Sequence, residues 1–282
     1  MNRILYVFAI AVVMLASCGE SMEKKAEVLL NEARNAYMAQ DYGRSKGLLD
    51  SLKVAYPKAF KARRAALQLR RDVEMGEQLR SLRFCEEKLE TLAARRDSLL
   101  PMFVLEKDGR YQDVGNYMIP SQTVKNNLNN TYLRAQVDEH GLVVLSSVYR
   151  GKALGHTGVR VSSGDSYAEC EAPFNKYTSK HLGVTTERVD FRYGQDGGVM
   201  DFIASCDSPV TVCLKGKSEY KYTLRDADAA AIADVLLLAD VLRAITETTE
   251  MRDEALRHIN FIERSNERHK NVESDTVAMS AD

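Results

Sequence analysis

The residues best suited to catalysis lie in the middle of the chain. His156 is in the segment Leu154-Gly155-His156-Thr157-Gly158, and glycine-flanked loops of this kind often carry functional residues. Glu169 and Glu171 are two residues apart, so a strand places both on one face. A paired-carboxylate hydrolase needs two acids about 5–10 Å apart across a cleft. Acids on a half-exposed strand are usually solvated, and a lone histidine is more often structural than catalytic.

No established catalytic or metal-binding motif accompanies these residues. The sequence has no Gly-x-Ser-x-Gly elbow, no His-Glu-x-x-His helix and no phosphate-binding loop. The spacing of the five cysteines matches no metal site, and no cofactor is indicated. In an oxidising compartment Cys206 and Cys213 could form a disulfide, and a pair of buried thiols is the alternative. The sequence favours a non-enzymatic role.

A second set of residues is suited to binding. Alternation along the predicted strands places aromatic and arginine side chains on their outward faces. The candidate binding residues, to which we add the loop residue His156, are Tyr132, Arg134, Gln136, Tyr149, Arg188 and Arg192. Such side chains can stack on sugars or hold a partner chain, and they also form ordinary cross-strand pairs. The absence of tryptophan counts against a dedicated carbohydrate surface.

Residues 101–225 predict an antiparallel β domain, as a sandwich or an open barrel. Short segments rich in Val, Tyr, Thr and Phe alternate with Gly, Asn and Asp, which is typical of seven or eight strands. The Gln195-Asp196-Gly197-Gly198 segment predicts a hairpin turn. The clearest predicted strands are 131–138, 142–149, 185–193, 199–205, 210–214 and 219–224, with another around Val159 and Val161.

Residues 26–100 predict helices. A long helix without proline follows over residues 62–99, with a seam at heptad spacing formed by Met75, Leu82, Cys85, Leu89, Leu92 and Leu99. Before it, residues 26–59 resemble a single tetratricopeptide repeat, with Ala33, Tyr42, Leu49, Leu52 and Pro57 on its pattern positions and Ser45 where alanine is usual. One repeat cannot bury its own face, so the resemblance implies that it packs against another part of the chain or a partner.

A second long helix is predicted over residues 226–270. Its apolar stripe consists of Val235, Leu238, Leu242, Ile245, Leu256 and Ile259. We expect the two long helices to pair in antiparallel fashion with the β domain inserted between them, which makes the protein an α+β fold. The sequence leaves open whether they pair within one chain or between copies as a homo-oligomer. Residues 271–282 are polar and aperiodic, which predicts a disordered tail.

Composition limits the classes of partner. The 282-residue chain is 45% hydrophobic and 28% charged, enough to bury a core, and its formal net charge is −1. So balanced a charge gives no reason to expect nucleic acid as a partner. The longest apolar run after the N-terminus, residues 227–239, is interrupted by two aspartates and is too short to span a bilayer.

The first eighteen residues predict a membrane anchor. Arg3 precedes an apolar run, residues 4–16, of the length of a signal-peptide core. The run ends in Leu15-Ala16-Ser17-Cys18, which resembles the lipobox of bacterial lipoproteins. The resemblance implies removal of residues 1–17, acylation of Cys18 with chains such as palmitate, and a tether over residues 18–25. By the sorting pattern of that family, Gly19 implies the outer membrane, with the side it faces left open.

These features together predict a lipid-anchored protein of the cell envelope, whose helices carry a β domain. The leading hypothesis is a structural or interaction protein that engages another envelope component, a protein or a glycan, through the β domain. The alternative is an envelope hydrolase or a ligand-binding lipoprotein for glycans or peptides, with its site in the β domain around His156.

Overall fold

A computed structural model describes residues 22–279, with side chains described for residues 22–268. The predicted signal peptide, residues 1–17, and the lipidation site Cys18 lie outside the described residues. The chain divides into two compact units. We call residues 22–87 with 250–279 the helical unit, and Lys88–Thr249 the β unit.

Within residues 22–279 the chain forms five α-helices. They are α1 (22–38), α2 (Tyr42–Ala55), α3 (Phe60–Leu99), α4 (Val199–Ser205) and α5 (Asp226–Met279). The long helices α3 and α5 pack together, which confirms the predicted pairing. They do so within one chain, a point that the sequence left open. Two boundaries differ from the prediction. Helix α5 continues through residues 271–279, where a disordered tail was predicted, and the chain is already helical at residue 22, inside the predicted tether.

The core of the helical unit uses the positions that resemble a tetratricopeptide repeat. Ala33, Tyr42, Leu49 and Leu52 are all buried together. Ser45, which stands where alanine is usual, is completely buried, and its Oγ donates to the carbonyl oxygen of Ala33 at 2.8 Å. The substitution is therefore tolerated because the hydroxyl has a partner.

Glycine at position 76 is explained by close packing rather than by a break in α3. A Cβ added at Gly76 would lie 2.9 Å from Cε1 of the Tyr42 ring, so only glycine leaves room for that ring. The guanidinium of Arg80, one turn further along α3, lies 4.6 Å from the ring centroid. The ring of Tyr42 thus packs directly on the backbone of α3 at Gly76 and makes a cation–π contact with Arg80.

The buried stripe of α5 follows a stricter heptad than the sequence suggested. Beyond Leu238 the buried or half-buried positions alternate by three and four residues, as Val241, Ile245, Thr248, Arg252, Ala255, Ile259 and Ile262. Thr248 is only 1% exposed. Its burial is tolerated because its hydroxyl donates to the carbonyl oxygen of Ala244 at 2.6 Å. Leu256, which the predicted stripe included, is 39% exposed. A 3.5-residue repeat is the spacing that keeps one face of a helix against a partner helix.

The β unit contains two antiparallel sheets, which confirms the predicted class of fold. The six-stranded sheet has the order β1-β2-β3-β4-β8-β7, and the four-stranded sheet the order β10-β9-β5-β6. The strands are β1 (Val104–Glu106), β2 (Asn116–Met118), β3 (Tyr132–Asp138), β4 (Val143–Gly151), β5 (Gly158–Ser163), β6 (Ser166–Cys170), β7 (Asn175–His181), β8 (Val184–Arg192), β9 (Thr211–Lys215) and β10 (Glu219–Thr223).

One hydrophobic core joins both sheets to the beginning of α5. Its members from the six-stranded sheet include Leu133, Leu145 and Phe191, each 0% exposed. The four-stranded sheet contributes Val161 and Leu214, and α5 adds Ile232, Val235 and Leu238. Because alternate residues of a strand point to opposite faces, this core identifies the inward face of each sheet and leaves the other face for polar side chains.

The predicted strand at 199–205 is wrong, because these residues form α4. The preceding segment does not make a hairpin turn. Gly197 and Gly198 have positive φ angles of +63° and +76°, and a Cβ at Gly197 would collide with the carbonyl oxygen of Glu169. The buried carboxylate of Asp196 accepts from the backbone N–H of Met200 at 2.8 Å. This side chain caps the first turn of the helix, which the hairpin prediction did not consider.

We expect Asp196→Ala to lower the free energy of unfolding of the β unit by about 1–3 kcal/mol, because it leaves the N–H groups of Met200 and Gly194 without their acceptor. Chemical denaturation followed by circular dichroism measures the change. Asp207→Ala is the matched control, because Asp207 is exposed. An equal effect of the two substitutions would show that Asp196 does not cap the helix.

Candidate functional site

Five of the predicted binding residues, Gln136 among them, share one face of the six-stranded sheet. Tyr132 and Arg134 alternate on β3 with core residues, so they lie on the face opposite the core. The strand register places Arg188 and Arg192 of β8 on the same face. We call this surface the arginine face. Its members across the central strands are Tyr132, Arg134, Gln136, Val144, Ser146, Val148, Arg150, Thr186, Arg188, Asp190, Arg192, Asn175 and Tyr177.

Two other predicted binding residues do not belong to this face. Tyr149 pairs with Glu187 and lies on the inward face of β4, where it is 7% exposed. Its ring centroid is 5.2 Å from that of Tyr220 on β10. His156 lies in the loop between β4 and β5 and is 5% exposed. The outward placement predicted for Tyr149 is therefore wrong, because the register of β4 puts Val148 and not Tyr149 beside Tyr132.

The single acid in the middle of the arginine face is already fully engaged. Asp190 is 5% exposed, and its Oδ1 accepts from Ser146 Oγ at 2.7 Å. Its Oδ2 accepts from Asn175 Nδ2 at 2.8 Å. The Nε of Arg188 lies 3.3 Å from Oδ1, as an ion pair that lacks hydrogen-bond geometry. Four arginines against one satisfied acid leave the centre of this face cationic.

Aromatic rings hold two of these arginines. The guanidinium of Arg188 lies 5.9 Å from the ring centroid of Tyr177, and that of Arg192 lies 4.7 Å from the ring centroid of Phe174. Both distances are within the range of cation–π attraction. The two rings are about half exposed, so they border the arginine face where it meets solvent.

Arg134 differs from its neighbours because it is buried and its Nε has no hydrogen-bond partner. The residue is 6% exposed, and its Nε has no hydrogen-bond acceptor. Within the described residues the guanidinium makes no ion pair and no ring contact. Burial raises the pKa of the neighbouring Tyr132 phenol, while the nearby charges of Arg134 and Arg188 oppose that rise. The Tyr132 hydroxyl can donate a hydrogen bond, as any protonated phenol does.

The loop that contains His156 is held to the sheet by a buried carboxylate. Glu187 of β8 is 4% exposed and accepts from three successive backbone N–H groups. Those of Leu154 and Gly155 lie 3.0 and 3.1 Å from Oε1, and that of His156 lies 2.6 Å from Oε2. Three convergent N–H groups form a concave anion site that the carboxylate of this chain fills.

The geometry around His156 does not suit nucleophilic catalysis. Its Nε2 lies 3.3 Å from Ser147 Oγ, which is the contact that a serine nucleophile and its base would make. However, Ser147 is 0% exposed, and the Glu187 carboxylate bonds the backbone rather than the ring. Nδ1 of the ring has no hydrogen-bond partner of good geometry. A substrate cannot reach this hydroxyl, and no carboxylate orients the imidazole.

Burial also makes His156 a source of acid instability. Desolvation lowers its pKa to about 4, and the nearby carboxylate of Glu187 only partly opposes this effect. The unfolded chain, with a histidine pKa of about 6.5, therefore binds the proton first. We expect the contribution of His156 to be complete above pH 6.5 and to be lost as the pH falls towards 4, by up to about 1.4 kcal/mol per pH unit.

The measurement is the difference in free energy of unfolding between the wild-type chain and His156→Gln, from pH 7 to pH 4.5. We expect the wild-type curve to fall more steeply than that of the variant. Parallel curves would mean that folding does not lower the pKa of His156.

The predicted acid pair is neutralised by cations. Glu169 and Glu171 do lie on one face, because Lys215 Nζ contacts the carboxylates of both, at 2.7 Å for Glu171. Glu169 also accepts from Arg160 Nε at 2.6 Å. Carboxylates surrounded by cations are suited to ion pairing, whereas a glycosidase needs one of its two acids to be a proton donor. This cluster is better explained as an ion-pair network on the outward face of the four-stranded sheet.

Neither a disulfide nor a metal site is found among the described residues. Cys206 and Cys213 are free thiols, as are Cys85 and Cys170. Cys213 lies on the outward face of β9, beside Arg160 in the strand register, and Cys206 follows α4 and donates to the carbonyl of Ser208. The disulfide that the sequence allowed is therefore not formed. No group of three or more His, Cys, Asp or Glu side chains in residues 22–268 is arranged to hold a metal ion.

Among the members of the arginine face that the sequence analysis missed are an aromatic residue, Tyr177, and an arginine, Arg150. Tyr177 lies on β7, a strand that the sequence did not predict, because residues 175–181 carry mostly polar side chains. Arg150 lies at the end of β4, one residue beyond the predicted strand. The alternation of Arg188, Asp190 and Arg192 was the signal that did identify the face.

Comparisons with known proteins found no relative of this chain. Among the described residues, no helix has both the length and the apolar character needed to cross a membrane. No protein-family model, curated protein or solved structure matches the sequence or the fold.

Proposed function

We propose that this protein is a lipid-anchored component of the cell envelope that binds an anionic envelope constituent through the arginine face. The observation that carries the proposal is the concentration of arginines on one sheet face, where the only central acid is already bonded to Ser146 and Asn175. A cationic surface with aromatic borders favours partners that carry negative charge. Its role is interaction rather than catalysis.

The anchor rests on the sequence of the first eighteen residues. The segment Leu15-Ala16-Ser17-Cys18 supports cleavage before Cys18 and its acylation, with the outer membrane as destination. Several acyl chains hold a protein on a membrane firmly, whereas one does so only marginally. Cells grown with labelled palmitate should yield labelled protein in the membrane fraction, and Cys18→Ala should carry no label. An unlabelled wild-type chain would contradict the anchor.

The alternative function is a hydrolase or a ligand-binding lipoprotein with its site at His156. The contact between His156 Nε2 and Ser147 Oγ supports it, and the complete burial of Ser147 weakens it. If the alternative were correct, His156→Ala would abolish turnover of an envelope glycan or peptide without changing the melting temperature. We expect instead that this substitution lowers the melting temperature and removes no activity.

Crosslinking in the native envelope, followed by capture through a C-terminal tag, tests the proposed interaction. We expect one dominant envelope constituent to be captured with the wild-type chain, and far less with Arg188→Ala/Arg192→Ala. Arg110→Ala is the matched control, because Arg110 is 80% exposed and lies outside the arginine face. Capture that is unaffected by the double substitution would refute binding through this face.

A further inference from the structure

The most unusual polar group of the described chain is the guanidinium of Arg134. Arginines are rarely buried without a carboxylate or another acceptor, because removing an unpaired cation from water is costly. Arg134 is 6% exposed, and its Nε is buried without a hydrogen-bond partner. Either the folded protein retains this cost, or a ligand supplies the missing acceptor.

No acid of the arginine face can supply it. Asp190 shares a row of the sheet with Arg134, but β4 lies between them, and two strand spacings separate the backbones by about 10 Å. Both oxygens of Asp190 are already used, by Ser146, Asn175 and the charge of Arg188. Asp228, whose charge also acts on Tyr132, is already paired with Arg225. The described chain therefore offers the Nε of Arg134 no acceptor.

Two groups on the same face as Arg134 are suited to an anion, the Tyr132 phenol and the Arg188 guanidinium. Arg188 adds a second positive charge two strands away from Arg134, in the row of Tyr132. The charges of both guanidinium groups act to lower the pKa of the Tyr132 phenol, while those of Asp228 and Glu106 act to raise it. The Nε edge of a guanidinium presents two parallel N–H groups, which match two oxygens of one carboxylate or phosphate group.

From this arrangement we infer that Arg134 is the centre of a binding site for an oxyanion, a carboxylate or a phosphate group, with Tyr132 and Arg188 beside it. The inference rests on the proposed function, because it names the chemical group through which the envelope constituent would be recognised. The burial of Arg134 limits the inserted group to a small one. Arg192, Tyr177 and Phe174 then contact what the oxyanion is attached to.

Thermal unfolding of the full chain in detergent tests the site with two probes, inorganic phosphate and acetate. Each is compared with chloride at equal ionic strength. We expect at least one probe to raise the melting temperature of the β unit by about 2 °C or more at ten times its Kd. A response to phosphate alone assigns the site to phosphate groups, and a response to acetate alone assigns it to carboxylates.

Three variants locate the response. Arg134→Met should melt at a higher temperature than the wild-type chain in chloride, because it removes an unpaired buried cation, and should lose the response to both probes. If it does not fold, Arg134→Lys tests the same point, since it keeps the charge but not the paired N–H groups. Arg110→Met, on an exposed side chain, should keep the full response.

The absence of a response in the wild-type chain, or a full response in Arg134→Met or Arg134→Lys, overturns the inference. These outcomes are independent of the proposed function, because palmitate labelling and envelope capture do not depend on a free phosphate or acetate ion. If the wild-type chain captured no envelope constituent but kept its anion response, the proposed interaction would be refuted and the oxyanion site would remain.

Discussion

Glu187→Ala is expected to lower the free energy of unfolding of the β unit by about 4 kcal/mol, a large fraction of the stability of a domain of this size. The substitution removes the common acceptor of three buried backbone N–H groups, at Leu154, Gly155 and His156. Each buried donor left without a partner costs about 1–3 kcal/mol. The loop between β4 and β5 cannot recover these bonds without leaving the sheet.

Chemical denaturation followed by circular dichroism measures this change. Glu171→Ala is the matched control, because the Glu171 side chain is 63% exposed and pairs only with Lys215, so less than about 1 kcal/mol is expected. A loss below 1 kcal/mol for Glu187→Ala would mean that the carboxylate does not hold the loop. The region around His156 would then be free to open, and the catalytic alternative would regain support.

Cys85→Asp is expected to lower the free energy of unfolding of the helical unit by about 3–5 kcal/mol. Cys85 lies on the heptad seam of α3 and is 0% exposed, so the new carboxylate would be buried without a partner. Leu89→Asp, at the next seam position, should have a smaller effect, because Leu89 is only half-buried.

The control for the seam is Leu79→Asp on the same helix, since Leu79 is 46% exposed. Denaturation followed by circular dichroism at 222 nm reports the loss of helix directly. Equal and small effects at positions 79 and 85 would contradict the packing of α3 against α5 within one chain. A loss that depended on protein concentration would indicate that the helices pair between chains.

The helices and the class of the fold could be predicted because their patterns are long. The heptad of α3 extends over several turns, and the buried positions of the repeat-like hairpin, such as Tyr42 and Leu52, follow a known spacing. Prediction failed where local signals compete. Residues 199–205 are as apolar as a strand, and only the capping bond of Asp196 to Met200 marks them as a helix.

A stripe of apolar residues in the sequence does not predict exactly which positions of a long helix are buried. Helix α5 buries Thr248 and Ala255, and it exposes Leu256, because a 3.5-residue repeat decides which side faces the partner helix. The hydroxyl of Thr248 donates a hydrogen bond to the carbonyl oxygen of Ala244, so this polar side chain can occupy a buried position. Small residues, and polar residues that bond to their own helix, are not recognised as buried from a hydrophobic pattern in the sequence.

The candidate site was predicted in part. Alternation along β3 and β8 correctly grouped Tyr132, Arg134, Arg188 and Arg192, because a two-residue period needs no tertiary information. The burial of Arg134 could not be predicted, since it depends on how neighbouring segments cover the outward face. Tyr149 was misplaced because the register between β3 and β4 is set by the turn at residues 139–142, whose length the sequence does not determine.

The most direct test of binding through the arginine face is photo-crosslinking in living cells. A photoreactive phenylalanine analogue replaces Tyr177, which is 54% exposed at the border of that face, or Tyr111, which is 81% exposed elsewhere in the β unit. We expect a discrete adduct with an envelope constituent from position 177, reduced in Arg188→Ala, and no such adduct from position 111. Equal adducts from both positions, or none from position 177, would contradict binding through the arginine face.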